Sequence, residues 1–337
     1  MSAMAEEIAE IPEVLTGLLV DGRAEIETLA DQVRGQFTRA VFVGRGSSDH
    51  AATYARYLFE TELGIPASLA APSVTTVYAA SVDWSDALVV AVSQSGRSPD
   101  LVAVLDEARS AGAATLAITN DTRSPLALAA QMVLDCRAGQ EKAVPATKSY
   151  VAELAAIAAL VAELSRDATL ASELAAVPRS IAAFLKAPDL ATRGLLASVA
   201  TQEGILVLGR GYNVATAYEV ALKLAETCGL YAHGYSTADF EHGPAALIER
   251  GALVIVFRSD GAAAEAVQGV IDRLRGGRVW VIGCGPDADV ALPEPLPDRV
   301  SPMMLVIPGL LLAEQSARLR GDDPDAPHGL QKVTETR

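Results

Sequence analysis

The stretch Val41-Phe42-Val43-Gly44-Arg45-Gly46-Ser47-Ser48 returns 165 residues later as Leu206-Val207-Leu208-Gly209-Arg210-Gly211-Tyr212-Asn213 (209 − 44 = 165). The same displacement lays ALVVAVSQSG, from Ala87 to Gly96, on ALVIVFRSDG, from Ala252 to Gly261, and sets the run from Thr115 on the run from Trp280. One constant offset through three landmarks marks a tandem duplication, two copies of one fold in a single chain. Within each copy, short apolar runs (residues 40–43, 87–92 and 113–118; then 205–208, 252–257 and 278–282) alternate with longer helical patterns. Unbroken rather than alternating hydrophobicity means strands buried on both faces, hence a parallel sheet between helix layers. The predicted fold class is α/β: two tandem three-layer αβα units with flavodoxin-like parallel sheets, related by the duplication. In chain order this gives a helical lead-in over 1–38 interrupted at Pro12, a first unit over 39–167 and a helical connector over 168–200 broken at Pro178 and Pro188. A second unit follows over 201–320, then a polar tail over 321–337 that carries Pro324 and Pro327 and reads as solvated.

Composition narrows the function classes. The chain has 337 residues, half of them apolar and 20% charged, enough for about two domains with their own cores. Its formal net charge of −15, with no run of lysine or arginine, argues against a nucleic-acid or anionic-membrane partner. A small phosphate ester is not excluded, because local N–H groups and hydroxyls outweigh a distant, screened field. The odd, scattered cysteines Cys136, Cys228 and Cys284 fit reduced, buried thiols in a cytoplasmic protein. The acidic start is unlike a signal peptide, and the longest apolar candidate for a membrane span, 302–313, is broken by Pro308 and Gly309. His50, His233, His242 and His328 make no metal-ligand spacing, so no metal is expected. A dinucleotide fingerprint would need glycine where Asp49 stands, which removes the case for a nicotinamide; no cofactor is expected.

Ligands of parallel α/β units gather at the carboxyl ends of strands. The loop Ser93-Gln94-Ser95-Gly96-Arg97-Ser98 follows such a strand and runs into Pro99-Asp100, a helix start with serine at the cap and proline at the first position. Hydroxyls, free N–H groups and a glycine at a helix N-terminus suit a phosphate, although an ordinary capped turn has the same composition. The second copy has Arg258, Ser259 and Asp260 there, a carboxylate where a phosphate would sit, so the first copy is the expected anion site. Ser47 and Ser48 add hydroxyls beside it. In the second copy, Asn213 can cap a helix to Cys228 with Gly229 as its stop, and Glu219, Lys223 and Glu226 fall on one face at i, i+4 and i+7. Such a row is usually a solvated ion-paired stripe. Its place at the ligand end of a strand makes it a candidate for proton transfer.

The ordered motifs EIAEIPEVL, GRGSSDHAA, SQSGRSPD, AGQEKAVPATKSY, GRGYNVATAYEVALKLAETCG, FEHGPAALI and GLQKVTET cover nearly all of the chain. With them it resembles the isomerase half of glucosamine-6-phosphate synthase and its stand-alone relatives in the sugar isomerase (SIS) domain family. The resemblance implies that Ser93, Gln94, Ser95 and Ser98 hold a sugar phosphate with Ser47 and Ser48, and that Gly46, Val144, Ala146 and Gln331 line the sugar. It implies Glu226 as the proton shuttle between C1 and C2 with Lys223 and Glu219 beside it, and His242 as the ring-opening group, supplied by the partner in a homodimer with shared active sites. Lys332, on a tail that closes over the sugar, would meet the open-chain carbonyl. Departures from the synthase are Pro145-Ala146-Thr147 in place of a serine-containing segment and Arg97 in place of glutamate, which bring SQSGRSPD and ATKSY closer to the deaminase and sugar isomerase branch. No cysteine nucleophile or glutaminase domain precedes the motifs, so the expected reaction runs from glucosamine 6-phosphate to fructose 6-phosphate and ammonia. Alternatives are a fructosamine-6-phosphate deglycase, a galactosamine-6-phosphate deaminase, a synthase-like isomerase lacking its glutaminase, and, in another class, a non-catalytic sugar-phosphate sensor with no use for Glu226 or Lys332.

Overall fold

The computed structural model describes residues 1–186, 193–274, 276–284, 288–294 and 296–333. They form two compact units that are not continuous in the chain. One gathers Glu13–Glu141, Lys148–Ala175 and the described part of Gln331–Arg337, the other Met1–Pro12, Lys142–Thr147 and Ala176–Leu330.

Each unit is built on a five-stranded parallel sheet. The first comprises β1 (Arg39–Val43), β2 (Ala67–Leu69), β3 (Ala87–Ser93), β4 (Ala114–Thr119) and β5 (Met132–Asp135), in the order β2-β1-β3-β4-β5. The second comprises β6 (Gly204–Gly209), β7 (Tyr231–Ser236), β8 (Leu253–Arg258), β9 (Val279–Gly283) and β10 (Val290–Ala291), in the order β10-β9-β8-β6-β7. Counted within its own copy, each sheet has the order 2-1-3-4-5, the flavodoxin-like arrangement expected from the duplication. Every residue of β3 and β8 is buried, as their continuous apolar sequence requires. Val89, Ala91, Leu101, Val104 and Leu105 join in the core of the first unit, and Leu208, Val254, Val256, Val270 and Ile271 in that of the second.

The expected proline breaks are corrected. The helix Ala3–Asp21 runs through Pro12 and ends before Gly22, and the helix Ala168–Lys186 runs through Pro178; Pro188 lies outside the described residues. The helix Ser301–Arg320 likewise runs through Pro308 and Gly309. An interior proline costs about 3 kcal/mol. Here burial offsets it: Ile8, Ile11 and Leu15 flank Pro12, Val177 and Ile181 flank Pro178, and Ile307 and Leu310 flank Pro308, all within 1% of full burial. Gly309 has a further reason to be glycine, since a Cβ there would lie 2.2 Å from Val220 Cγ2. Its bare backbone lets this helix press against Val214–Cys228, the helix carrying Glu219, Lys223 and Glu226. Among the described residues, Ala168–Lys186 alone has the length and hydropathy of a membrane span; Glu173 and Arg179 interrupt it.

The solvated reading holds for most of the described tail, which is exposed, but fails at its prolines. Pro324 and Pro327 are buried, and the Asp325 carboxylate accepts from the N–H groups of Ala3 and Met4 at 2.7 and 2.8 Å, capping the first helix. Cys136 and Cys228 are buried free thiols as expected, whereas Cys284 is half-buried.

Candidate active site

In the first unit, the loops after β1 and β3 occupy neighbouring strands where the sheet order reverses, the usual ligand position of such folds. A salt bridge joins these loops. Arg45, from Gly44-Arg45-Gly46, donates Nε and Nη2 at 2.8 and 2.6 Å to Asp100 Oδ2 at the start of the helix Pro99–Ser110. Asp100 is 1% exposed, so its charge is matched where water does not reach it.

Within the β3 loop, the Gly96 N–H donates to Ser93 Oγ at 3.1 Å and the Arg97 N–H to Ser95 Oγ at 3.3 Å. Each hydroxyl is therefore engaged as an acceptor and keeps its own proton to donate, the polarity an anion needs. Ser98 stands at the cap position, but its side chain makes no capping hydrogen bond, which corrects the expected capping role. Gly96 has φ +61°, and a Cβ there would fall 2.0 Å from Ser124 Oγ. Only glycine closes the loop this tightly.

In the β1 loop, Gly46 (φ +54°) precedes the helix Ser47–Glu62. Ser48 is buried and donates to Glu153 Oε1 at 2.9 Å, a partner not anticipated from sequence. Burial pushes the Asp49 carboxyl above its ordinary range, with His50 and Arg45 opposing.

The equivalent loop of the second unit is occupied by the protein itself. Ser259 Oγ donates to Asp298, and Arg258 donates Nε to the Cys284 carbonyl and Nη1 to Gln268. Burial raises the Asp298 carboxyl above its ordinary range. A serine hydroxyl committed to a carboxylate and a second carboxylate at Asp260 leave poor terms for an anion.

The helix Val214–Cys228 ends as expected, with Gly229 at φ +63°. Asn213 does not cap it: its Nδ2 donates to Ser301 Oγ at 2.8 Å and its Oδ1 accepts from Thr216 at 2.9 Å. The solvated reading of the charged row is overturned. Lys223 is 1% exposed, with Glu219 Oε1 at 3.4 Å and Glu226 Oε2 at 2.5 Å from its Nζ; the Glu219 side chain is 0% and that of Glu226 22% exposed. Of the three, Glu226 lies at the accessible end. His242 follows the short helix Thr237–Glu241, is exposed, and makes no hydrogen bond or ion pair with this row among the described residues.

On the first unit, Lys332 Nζ donates to Glu141 Oε2 at 2.6 Å. Val144 donates its N–H to the Asp325 carbonyl in the second unit, Ala146 is half-buried there, and Gln331 is exposed. Sequence reasoning missed Asp100, Glu141 and Glu153. Glu141 lay within the quoted AGQEKAVPATKSY, but only a contact 191 residues away gives it a role. No cluster of His, Cys, Asp or Glu able to hold a metal ion occurs among the described residues.

The SIS domain family profile matches residues 36–163 and 198–291. The glutamine–fructose-6-phosphate aminotransferase (isomerizing) of Methanothermobacter thermautotrophicus is 33% identical over 98% of this chain and 56% of its own length. The chain thus spans little more than half the length of the curated relatives it matches. A Silicibacter pomeroyi DSS-3 protein to which phosphosugar isomerase activity is ascribed superposes with a TM-score of 0.89 at 34% identity, covering 96% of this chain and all of its own. The C-terminal domain of glucosamine-fructose-6-phosphate aminotransferase from Francisella tularensis superposes at 0.85, with 23% identity and coverages of 97% and 98%.

Proposed function

The chain belongs to the SIS domain family, and from that premise we propose that it is an aminosugar-phosphate isomerase and deaminase converting glucosamine 6-phosphate and water to fructose 6-phosphate and ammonia. The observation that carries the reading is the buried Glu219–Lys223–Glu226 row with one accessible carboxylate. A surface stripe has no reason to place an ammonium at 1% exposure between two carboxylates; a site that moves a carbon-bound proton does. The Ser93–Ser98 loop, with its hydroxyl protons available, supports a phosphate ester as the handle.

In this reaction Ser93, Ser95, Ser98 and Gln94 hold the phosphate, assisted by Ser47. His242, from the second chain of a homodimer, assists ring opening to the C1 aldehyde. Glu226 removes the C2 proton and returns it at C1 while a proton passes from the amine nitrogen to O1, which converts the 2-amino aldehyde to the C2 imine. Water adds to the imine carbon, the C–N bond breaks, and ammonia leaves with fructose 6-phosphate. Lys332 meets the open-chain carbonyl. Deamination rather than another isomerisation rests on the likeness of SQSGRSPD and ATKSY to the stand-alone branch of the family. A cytoplasmic location suits the free thiols.

The test is ammonia release from glucosamine, galactosamine and fructosamine 6-phosphates. Ammonia and ketose phosphate are expected from the first. Release from none overturns the deaminase reading, and release from another sugar overturns the substrate. The asymmetry of the two loops has its own expected outcome. Ser95→Ala should weaken fructose 6-phosphate binding by about 1.5 kcal/mol, near tenfold, for a hydrogen bond lost to a charged group. Ser259→Ala should leave it unchanged, and equal effects in calorimetry would refute the assignment of the phosphate to the first copy.

A further inference from the structure

We propose that Glu141 is a positioning residue that seats Lys332, with Ser149 fixing Glu141 in turn; the inference rests on the proposed reaction and names what places its terminal lysine. Lys332 lies on the tail, where its side chain is 23% exposed, yet the carboxylate it meets is fully buried. Glu141 Oε2 accepts from Lys332 Nζ and from Ser149 Oγ, each at 2.6 Å, and Oε1 accepts from the Ser149 N–H at 3.1 Å. Ser149 is the second residue of the helix Lys148–Ser165, so the carboxylate rests on a helix N-terminus, where free N–H groups and the helix dipole favour negative charge.

The order of these contacts matters. The helix beneath is rigid: almost every residue from Lys148 to Leu164 is buried. Ser149 therefore sets the direction of the carboxylate without help from the tail. The tail supplies a long side chain with several rotatable bonds, which by itself defines no position for its ammonium. A carboxylate already withdrawn from water gives that ammonium one landing point. A purely structural site could have used an apolar side chain here, since apolar groups of similar volume pack into a buried site at no greater cost than an ion pair. A buried Glu141 aimed at the lysine from the far end of the chain is better explained by the need to place an amine.

Two measurements on the full chain test this. The first is independent of substrate: the rate at which acetic anhydride acetylates Lys332, read by mass spectrometry of the tail peptide. Glu141→Gln should raise that rate about tenfold, and an unchanged rate overturns the seating whatever reaction the enzyme performs. The second is steady-state turnover of glucosamine 6-phosphate. In Glu141→Gln, kcat should fall about 10- to 100-fold, the usual loss when a reacting group is displaced by about 1 Å, while KM stays within about threefold because the phosphate is held elsewhere. Ser149→Ala, which keeps the charge and loosens its direction, should show a smaller loss of the same kind. Neither change should lower the activity of Lys332→Met any further, because all act through one amine. Multiplicative losses, or full activity in Glu141→Gln where Lys332→Met is inactive, overturn the positioning role and leave the proposed reaction standing. A wild-type chain that releases no ammonia removes the reaction and leaves the acetylation result to decide the seating.

Discussion

Glu226→Gln is expected to lower turnover by about 10² to 10⁴ while sugar phosphate binding persists. The amide keeps the shape of the side chain and its hydrogen bond to Lys223, but it cannot take a proton from carbon. Binding survives because the phosphate loop belongs to another strand end, so fructose 6-phosphate should still raise the melting temperature. Exchange of the substrate C2 hydrogen with deuterated water should collapse together with turnover. Wash-out near the wild-type rate would show that the carboxylate is structural and move the base to Glu219 on the same face. The structure makes Glu219 the weaker candidate, since its side chain is 0% exposed against 22% for Glu226.

Lys223→Met should produce the largest loss of stability. The ammonium is 1% exposed and ion-pairs with both carboxylates of the row. Removing it leaves their charges in the interior without that counter-charge, and breaking a buried pair from one side costs about 3 to 5 kcal/mol. In a protein of this size that corresponds to a fall in melting temperature of about 4 to 7 °C. The double variant Lys223→Met with Glu219→Gln should recover part of the loss, because one stranded charge is then gone. A melting temperature within about 1 °C of wild type for Lys223→Met would mean that water reaches the row and screens it, returning it to an exposed stripe.

The two-copy parallel architecture was legible in the sequence because its signals are one-dimensional. A fixed offset and uninterrupted apolar runs survive without knowledge of any contact, and they led to two sheets with one strand order. The serine-rich loop at Ser93 and the i, i+4, i+7 spacing of Glu219, Lys223 and Glu226 were visible for the same reason, since spacing along a helix already decides which side chains share a face. Proline punctuation misled at Pro12, Pro178 and Pro308, where a local rule met a tertiary one. The ring removes one N–H and crowds one carbonyl, but the apolar residues on either side gain more from burial than the helix loses.

Composition misled at two points of the tail, which is otherwise mostly exposed. Asp325 caps a helix more than 300 residues away in sequence, and Lys332 finds Glu141. What the sequence by itself determined was the repeat, the strand type, the loop chemistry and the order of charges along one helix. The tertiary structure alone decided that Lys223 is buried rather than solvated, that Gly309 must be glycine because Val220 lies against it, and that Glu141 faces Lys332. Each of these depends on which distant residues meet and on whether water reaches them, quantities that no local stretch of chain encodes.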